Sequence, residues 1–182
     1  MQVPQQVIEP AIEGVEVFET RRFEDARGYF CVHWIADELR LRGLNAEFVQ
    51  SNIAFNHKKG TLRGLHSQAA PDEEEKLVTC VRGAIYDVVV DIRPDSPTFR
   101  QWVGVELSED NGRVLYIPKG CLHGYQTLCD ETKVLYQVTT AYAPKSALGA
   151  CYDDPAFGVD WPLPVAVISD QDRAWPAFAL RV

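Results

Sequence analysis

Arg63 and His66 fall within one short stretch, Gly60-Thr61-Leu62-Arg63-Gly64-Leu65-His66-Ser67-Gln68. An imidazole titrates near neutral pH, so a histidine here suits general acid–base work. If Leu62 to Gln68 is extended, Leu62, Gly64, His66 and Gln68 share one face. Arg63, Leu65 and Ser67 then share the other. Strand twist or a bulge at the glycine would bring Arg63 and His66 to one cavity; otherwise the stretch is an edge strand with a solvated arginine and a satisfied histidine. An acidic segment follows (Asp72, Glu73, Glu74, Glu75) and ends at Lys76, where an apolar run begins. His123 also follows a glycine turn in apolar surroundings. His33 and His57 lie beside exposed-looking segments and receive no role. No His-x-His pair with a nearby Glu is present, which disfavours a metal site. A catalytic histidine wants an orienting carboxylate, and spacing alone does not choose one from 26 acidic residues. Tyr136 and Tyr142 lie six apart, an even spacing that places both on one face of a strand. They serve either as sheet packing or as an acid and an aromatic platform.

The elements that hold these groups are mostly strands. Val15 to Thr20 alternates, and Arg21 to Gly28 reads as a charged turn. Tyr29 to Trp34 is β-prone. Ala36 to Leu44 is the best helix candidate, stopped by Gly43. Phe48 to Phe55 is extended, with Gln50 and Asn52 on one face. Lys76 to Val81 and Gly83 to Ile92 are strands, the latter rich in β-branched residues and central. Gln101 to Leu107 and Val114 to Ile117 flank the turn Glu109-Asp110-Asn111-Gly112. Pro118-Lys119-Gly120 turns toward His123, and Lys133 to Tyr142 is again strand-like. From Ala143 on, many prolines and little periodicity suggest a wrapping tail. Short strands at this spacing predict a sandwich or barrel, with a double-sheet jelly roll the best fit and its interior the ligand site. A βαβ architecture needs helices that the pattern lacks.

The chain has 182 residues, consistent with a single domain over 1–182, and a net charge of -8. No basic patch favours a nucleic-acid partner. No apolar run is long enough to suggest a membrane span. Met1 to Pro10 lacks the pattern of a signal peptide. Five cysteines without a Cys-x-x-Cys pair argue against a disulfide framework and for a reducing, cytoplasmic setting.

Taken together, the motifs resemble the dTDP-4-dehydrorhamnose 3,5-epimerase family of cupin-fold enzymes, from about Val15 to Pro176. The matching pieces are Phe23-Glu24-Asp25-Ala26-Arg27-Gly28-Tyr29-Phe30, Gln50-Ser51-Asn52, Leu62-Arg63-Gly64-Leu65-His66 and Lys76-Leu77-Val78. Gly83 to Arg93, Ser96-Pro97-Thr98, Ile117 to Gly124, Tyr136 with Tyr142, Asp153-Asp154-Pro155, Asp160-Trp161-Pro162 and Ser169-Asp170-Gln171-Asp172 complete the set. The resemblance implies a mainly β, cupin-type double-stranded β-helix with a few short helices. It implies an epimerase that inverts C3 and C5 of a nucleotide-linked 4-keto-6-deoxyhexose, with the C4 ketone delocalising the carbanion. His66 and Asp172 match the family's base pair, Tyr136 its acid and Lys76 the cation near the C4 oxygen. Arg63 and His123 match residues lining the sugar site, Gln50 and Asn52 lie among the substrate-binding positions, and Tyr142 matches a residue that stacks on the base. Phe23 and Arg27 match an arm that reaches the neighbouring subunit's site, with Arg27 suited to the diphosphate. The same resemblance implies a homodimer, with residues 1–35 contributing, and no metal or organic cofactor.

Three positions depart from the family's usual pattern. Val32 stands in place of a common Glu, Ser67 in place of an aromatic residue after the histidine, and Gln171 in place of a common lysine. They bear on the walls of the substrate site and on whether one carbon or two is inverted. The competing readings are a single-centre epimerase, a sugar-nucleotide-binding cupin without catalysis, and a metal cupin oxygenase.

Overall fold

The computed structural model describes residues 5–8 and 11–179. Two antiparallel sheets form the body. In chain order the strands are β1 (Gln5–Ile8), β2 (Glu16–Glu19), β3 (Arg22–Asp25), β4 (Gly28–Cys31), β5 (Gln50–Asn56), β6 (Thr61–Gln68) and β7 (Lys76–Arg82). They continue as β8 (Ala84–Asp91), β9 (Trp102–Ser108), β10 (Arg113–Ile117), β11 (Cys121–Thr127), β12 (Thr132–Val138), β13 (Ala147–Gly149) and β14 (Val167–Ile168). One sheet runs β1-β2-β10-β7-β12-β5 and the other β13-β6-β11-β8-β9, with β14 alongside β6. Strands β3 and β4 make a separate hairpin. The helices are short: α1 (Ala36–Leu41) and α2 (Asp170–Arg173). This is the expected mainly β jelly roll.

Alternation along the strands builds three apolar clusters. Between the sheets, Val17, Val78, Cys80, Ile85, Val89, Leu107, Leu115 and Val134 pack into one cluster. Each fully buried aliphatic side chain of this kind contributes roughly 1.5–3 kcal/mol. On the outer face of the first sheet, Phe18, Leu77, Val114 and Tyr116 are covered by Leu39 of α1 and by Trp34, Leu44 and Phe48. On the outer face of the second, Leu65, Val88, Val90 and Leu122 are covered by tail residues that include Ala150, Phe157, Trp161 and Phe178.

Several elements differ from the sequence expectation. Arg22 to Asp25 is a strand, not a turn, because it pairs with β4 in a hairpin that sets Phe23 opposite Phe30. The Arg22 guanidinium also lies 4.3 Å from the Tyr29 ring centroid. Cys121 to Thr127, expected only as the exit of a turn, is a fully buried strand between β6 and β8. β12 ends at Val138, so Tyr142 lies beyond it and does not share a strand face with Tyr136. The tail is less irregular than its prolines suggest. β13 and β14 both pair with β6, which ties the two ends of that strand to the C-terminal part of the chain.

The bulge at Gly64 decides where the chemistry faces. His66 pairs with His123 and Arg63 pairs with Tyr125, so β6 spends one residue more than β11 between these pairs. In a regular strand Arg63 and His66 would point to opposite faces; the extra residue sends both inward. Only glycine fits the crossing. Gly64 has φ +106°, and a Cβ there would lie 2.5 Å from the His123 carbonyl oxygen and 2.6 Å from Gly124 Cα. Gly64→Ala is therefore expected to destabilise the protein by roughly 2–6 kcal/mol, the sum of backbone strain and overpacking. The midpoint of urea unfolding checks this; an unchanged midpoint would mean that β6 can be straightened without cost.

Candidate active site

A cavity of about 500 Å³ lies between the two sheets. His66, Arg63 and His123 line it from the second sheet, and Gln50, Asn52, Lys76 and Tyr136 line it from the first. Asp172 and Tyr142 line it as well. Phe23 and Arg27 do not line it. They sit on the β3–β4 hairpin, where Arg27 is highly exposed and paired with Asp25.

Pairing registers explain the placement on the first sheet. Tyr136 lies opposite Asn52 on one side and Val78 on the other. Val138 lies opposite Gln50 and Lys76. Directly opposed residues share a face. Gln50, Lys76, Asn52 and Tyr136 thus form two adjacent rows on one wall. The Gln50 side-chain amide donates to Asn52 Oδ1 at 2.7 Å.

On the facing wall, the Arg63 guanidinium donates to Asn56 Oδ1 at 2.8 Å, which holds its direction. His123 is buried, and its Nε2 lies 2.8 Å from Oδ1 of the fully buried Asp87. With Asp87 ionised, that ring nitrogen carries the hydrogen, which fixes the tautomer. Burial pushes the Asp87 carboxyl up, against the pull of His123 and Lys76.

Asp172 reaches the cavity from α2. Parallel pairing of Val167 and Ile168 with Thr61 and Leu62 anchors the chain just before it. Ser169 then caps the helix, its Oγ accepting from the Asp172 N–H at 3.0 Å. His66 Nε2 and Asp172 Oδ1 are 3.8 Å apart, within ion-pair range and about 1 Å beyond a hydrogen bond. The His66 side chain keeps 42% of its surface open to the cavity. Burial of the ring, with Lys76 and His123 nearby, outweighs Asp172 and pushes His66 down to about 4. The ring is thus neutral at pH 7 and able to accept a proton.

Lys76 and Tyr136 carry the complementary properties. Lys76 is buried and ion-paired with Glu74. Burial pushes its ammonium down, while Glu74 and Asp87 pull it back up. Burial, and then the Glu74 charge, pushes the Tyr136 phenol above its usual value, with Arg63 opposing. A phenol held protonated is a proton donor.

Sequence reasoning assigned no role to Glu74, Asp87, Gln68 or Trp175, which also belong to the cavity or its support. Two of them carried a signal. Glu74 stands two residues before Lys76, the spacing of one strand face. Asp87 interrupts a β-branched run, where an unpaired charge is costly. Among the described residues, no group of three or more His, Cys, Asp or Glu side chains is arranged to hold a metal ion. No helix there is long and apolar enough to cross a membrane.

Fold and cavity together are those of the cupin-fold nucleotide-sugar epimerases. The pattern of the dTDP-4-dehydrorhamnose 3,5-epimerase family matches residues 9–179, and the chain belongs to that family of isomerases. It is 42% identical over 172 residues to the dTDP-4-dehydrorhamnose 3,5-epimerase of Salmonella typhimurium, covering 93% of each chain. Among solved structures, it is similar to the Bacillus anthracis dTDP-4-dehydrorhamnose 3,5-epimerase with TDP and pyrophosphate bound. The TM-score is 0.91 and the identity 40%, over 95% of this chain and 99% of that one. A 3'-monoepimerase from Streptomyces bikiniensis in complex with dTDP-quinovose also matches. Its TM-score is 0.86 and its identity 32%, over 92% of this chain and 85% of that one.

Proposed function

We propose that this protein inverts C3 and C5 of a dTDP-4-keto-6-deoxyhexose by removing a proton beside the C4 ketone and returning one from the opposite face. One observation carries the reading. His66 stands on one sheet and Tyr136 with Lys76 on the other, so a sugar ring between the sheets has a base on one face and an acid on the other.

In this reading His66 takes the C–H proton, and Asp172 stabilises the imidazolium that forms. The electron pair moves into the C4 carbonyl to give an enolate, whose oxygen is met by the Lys76 ammonium. Tyr136 delivers a proton to the other face of the carbon, and the configuration inverts. The substrate's own ketone is the electron sink. Arg63, His123, Gln50 and Asn52 hold the sugar, and Tyr142 offers an exposed ring for the nucleotide base.

The reading includes a homodimer. Phe23, Tyr29 and Phe30 are exposed on the β3–β4 hairpin, and Arg27 extends from the same hairpin away from its own cavity. These residues suit a neighbouring copy's site, with Arg27 placed for the diphosphate. The outer face of β5 exposes Ile53 and Phe55, with Val49 exposed just before it, a second apolar surface for a partner copy.

Proton NMR of dTDP-4-keto-6-deoxyglucose with the protein in deuterated water tests the reaction. Loss of both the C3 and the C5 proton signals is expected. Loss of one alone would make the enzyme a single-centre epimerase, the reading favoured by the match to the 3'-monoepimerase and by Ser67 beside the base. No exchange would overturn the proposal.

A further inference from the structure

Glu74 is a buried carboxylate in the cavity for which the reaction above has no use. The backbone on either side of it is stitched to the end of β12. The Thr140 hydroxyl donates to the Glu73 carbonyl at 2.8 Å, and the Glu75 N–H donates to Thr139 Oγ1 at 2.9 Å. The Thr139 N–H returns a bond to the Glu75 carbonyl at 3.1 Å. These three bonds clamp residue 74 against the strand that carries Tyr136. Its side chain turns inward and pairs with the Lys76 ammonium.

We propose that Glu74 is a positioning residue for the epimerisation: its carboxylate fixes the Lys76 ammonium on the cavity wall that also carries Tyr136. This rests on the reading of the site given above. A lysine stem has four rotatable bonds, and a loosely held ammonium would meet the enolate oxygen in few of its conformers. An ammonium has three donors. One is committed to Glu74, which leaves two for the oxygen. The same carboxylate keeps both partners in their working protonation states, because it opposes loss of the proton from Lys76 and from Tyr136. The other charged or titratable groups around the cavity are Arg63 and His66 on β6, Asp87 on β8, His123 and Tyr125 on β11, Tyr142 beyond β12, and Asp172 on α2. All of them are unchanged in a variant at 74.

The test compares pH profiles of epimerisation of dTDP-4-keto-6-deoxyglucose by the wild type, Glu74→Gln and Glu74→Asp, with Glu73→Gln as a neighbouring control. Removing the charge lets both Lys76 and Tyr136 lose their protons more easily. The alkaline limb of kcat in Glu74→Gln is therefore expected to move down by about one pH unit, the effect of one lost neighbouring charge. The rate at pH 7 is expected to fall about 10²-fold, as for a displaced catalytic group, with KM changed little. Glu74→Asp retains the charge in the cavity but withdraws it from Lys76 by one methylene, so its limb should stay near the wild-type position while its kcat falls, and Glu73→Gln should match the wild type throughout. A Glu74→Gln profile that overlays the wild type overturns the proposal. So does a fall in rate with an unmoved limb, which marks a packing role only. Should Glu74→Gln fail to fold, Glu74→Asp decides: a wild-type kcat overturns the proposal, because the retracted carboxylate no longer holds Lys76 in place. A wild-type protein that exchanges no substrate proton overturns the proposed function itself, and the role of Glu74 falls with it.

Discussion

His66→Ala is expected to abolish exchange of both the C3 and the C5 protons with deuterated water while the protein stays folded. The loss should be at least about 10³-fold, within the range for removing a general base. The two halves of the expectation have separate causes. The His66 imidazole is neutral at pH 7, because burial, Lys76 and His123 hold it down to about 4 against the pull of Asp172. The ring is also partly open to the cavity and is not a core anchor, so truncation leaves the three apolar clusters intact. The wild-type acid limb follows from the same group. A base must be unprotonated, so kcat/KM should hold as pH falls from 7 and drop through about 4, where His66 takes its proton. Full exchange by a folded His66→Ala would remove the base from the mechanism, and a limb near 6.5 would mean that the ring is hydrated in solution.

The site was legible in part because its strands obey alternation and its motifs are dense. Gln50 and Asn52 are two apart on a β-prone run, and the structure places both on the cavity wall. Lys76 opens an apolar strand and is buried at its start. His66 and Arg63 were ambiguous from alternation alone, because the period of two assigns them to opposite faces. The bulge that reunites them depends on the close approach of Gly64 to β11, a contact between residues about 60 positions apart. Tyr142 shows the reverse error. Its even spacing from Tyr136 suggested a shared strand face, yet β12 ends first and Tyr142 lines the cavity from the loop beyond.

Asp172 was the least legible from the residues themselves. Its tail has no hydrophobic period, and Asp170 stands beside it. What selects Asp172 is tertiary: the parallel pairing of β14 with β6 and the Ser169 cap set the rotation of one short helix. β11 was missed for a related reason. Its histidine, glycine and glutamine break the apolar run, and burial of every residue in it comes from neighbours on both edges and both faces. Polar residues inside a fully buried strand are where local propensity fails and where a binding cavity lies.

Tyr136→Phe is expected to separate proton removal from inversion. The change deletes one oxygen and keeps the ring, which packs against the core between the sheets, so stability should move by less than about 1 kcal/mol. His66, Asp172 and Lys76 are untouched, so the enolate still forms. It then has a proton source on one face only. Solvent deuterium, entering through His66, should appear at the reacting carbon with its original configuration, while the inverted product forms about 10²- to 10⁴-fold more slowly. The alkaline limb of exchange should then report Lys76 without the phenol. Time-resolved proton NMR distinguishes the two processes in one sample, because exchange removes a signal without moving its neighbours and inversion changes their couplings. Inversion at the wild-type rate would mean that water or another group protonates the far face. Loss of exchange together with inversion would place Tyr136 in proton removal as well, and the division of labour between the two sheets would then be wrong.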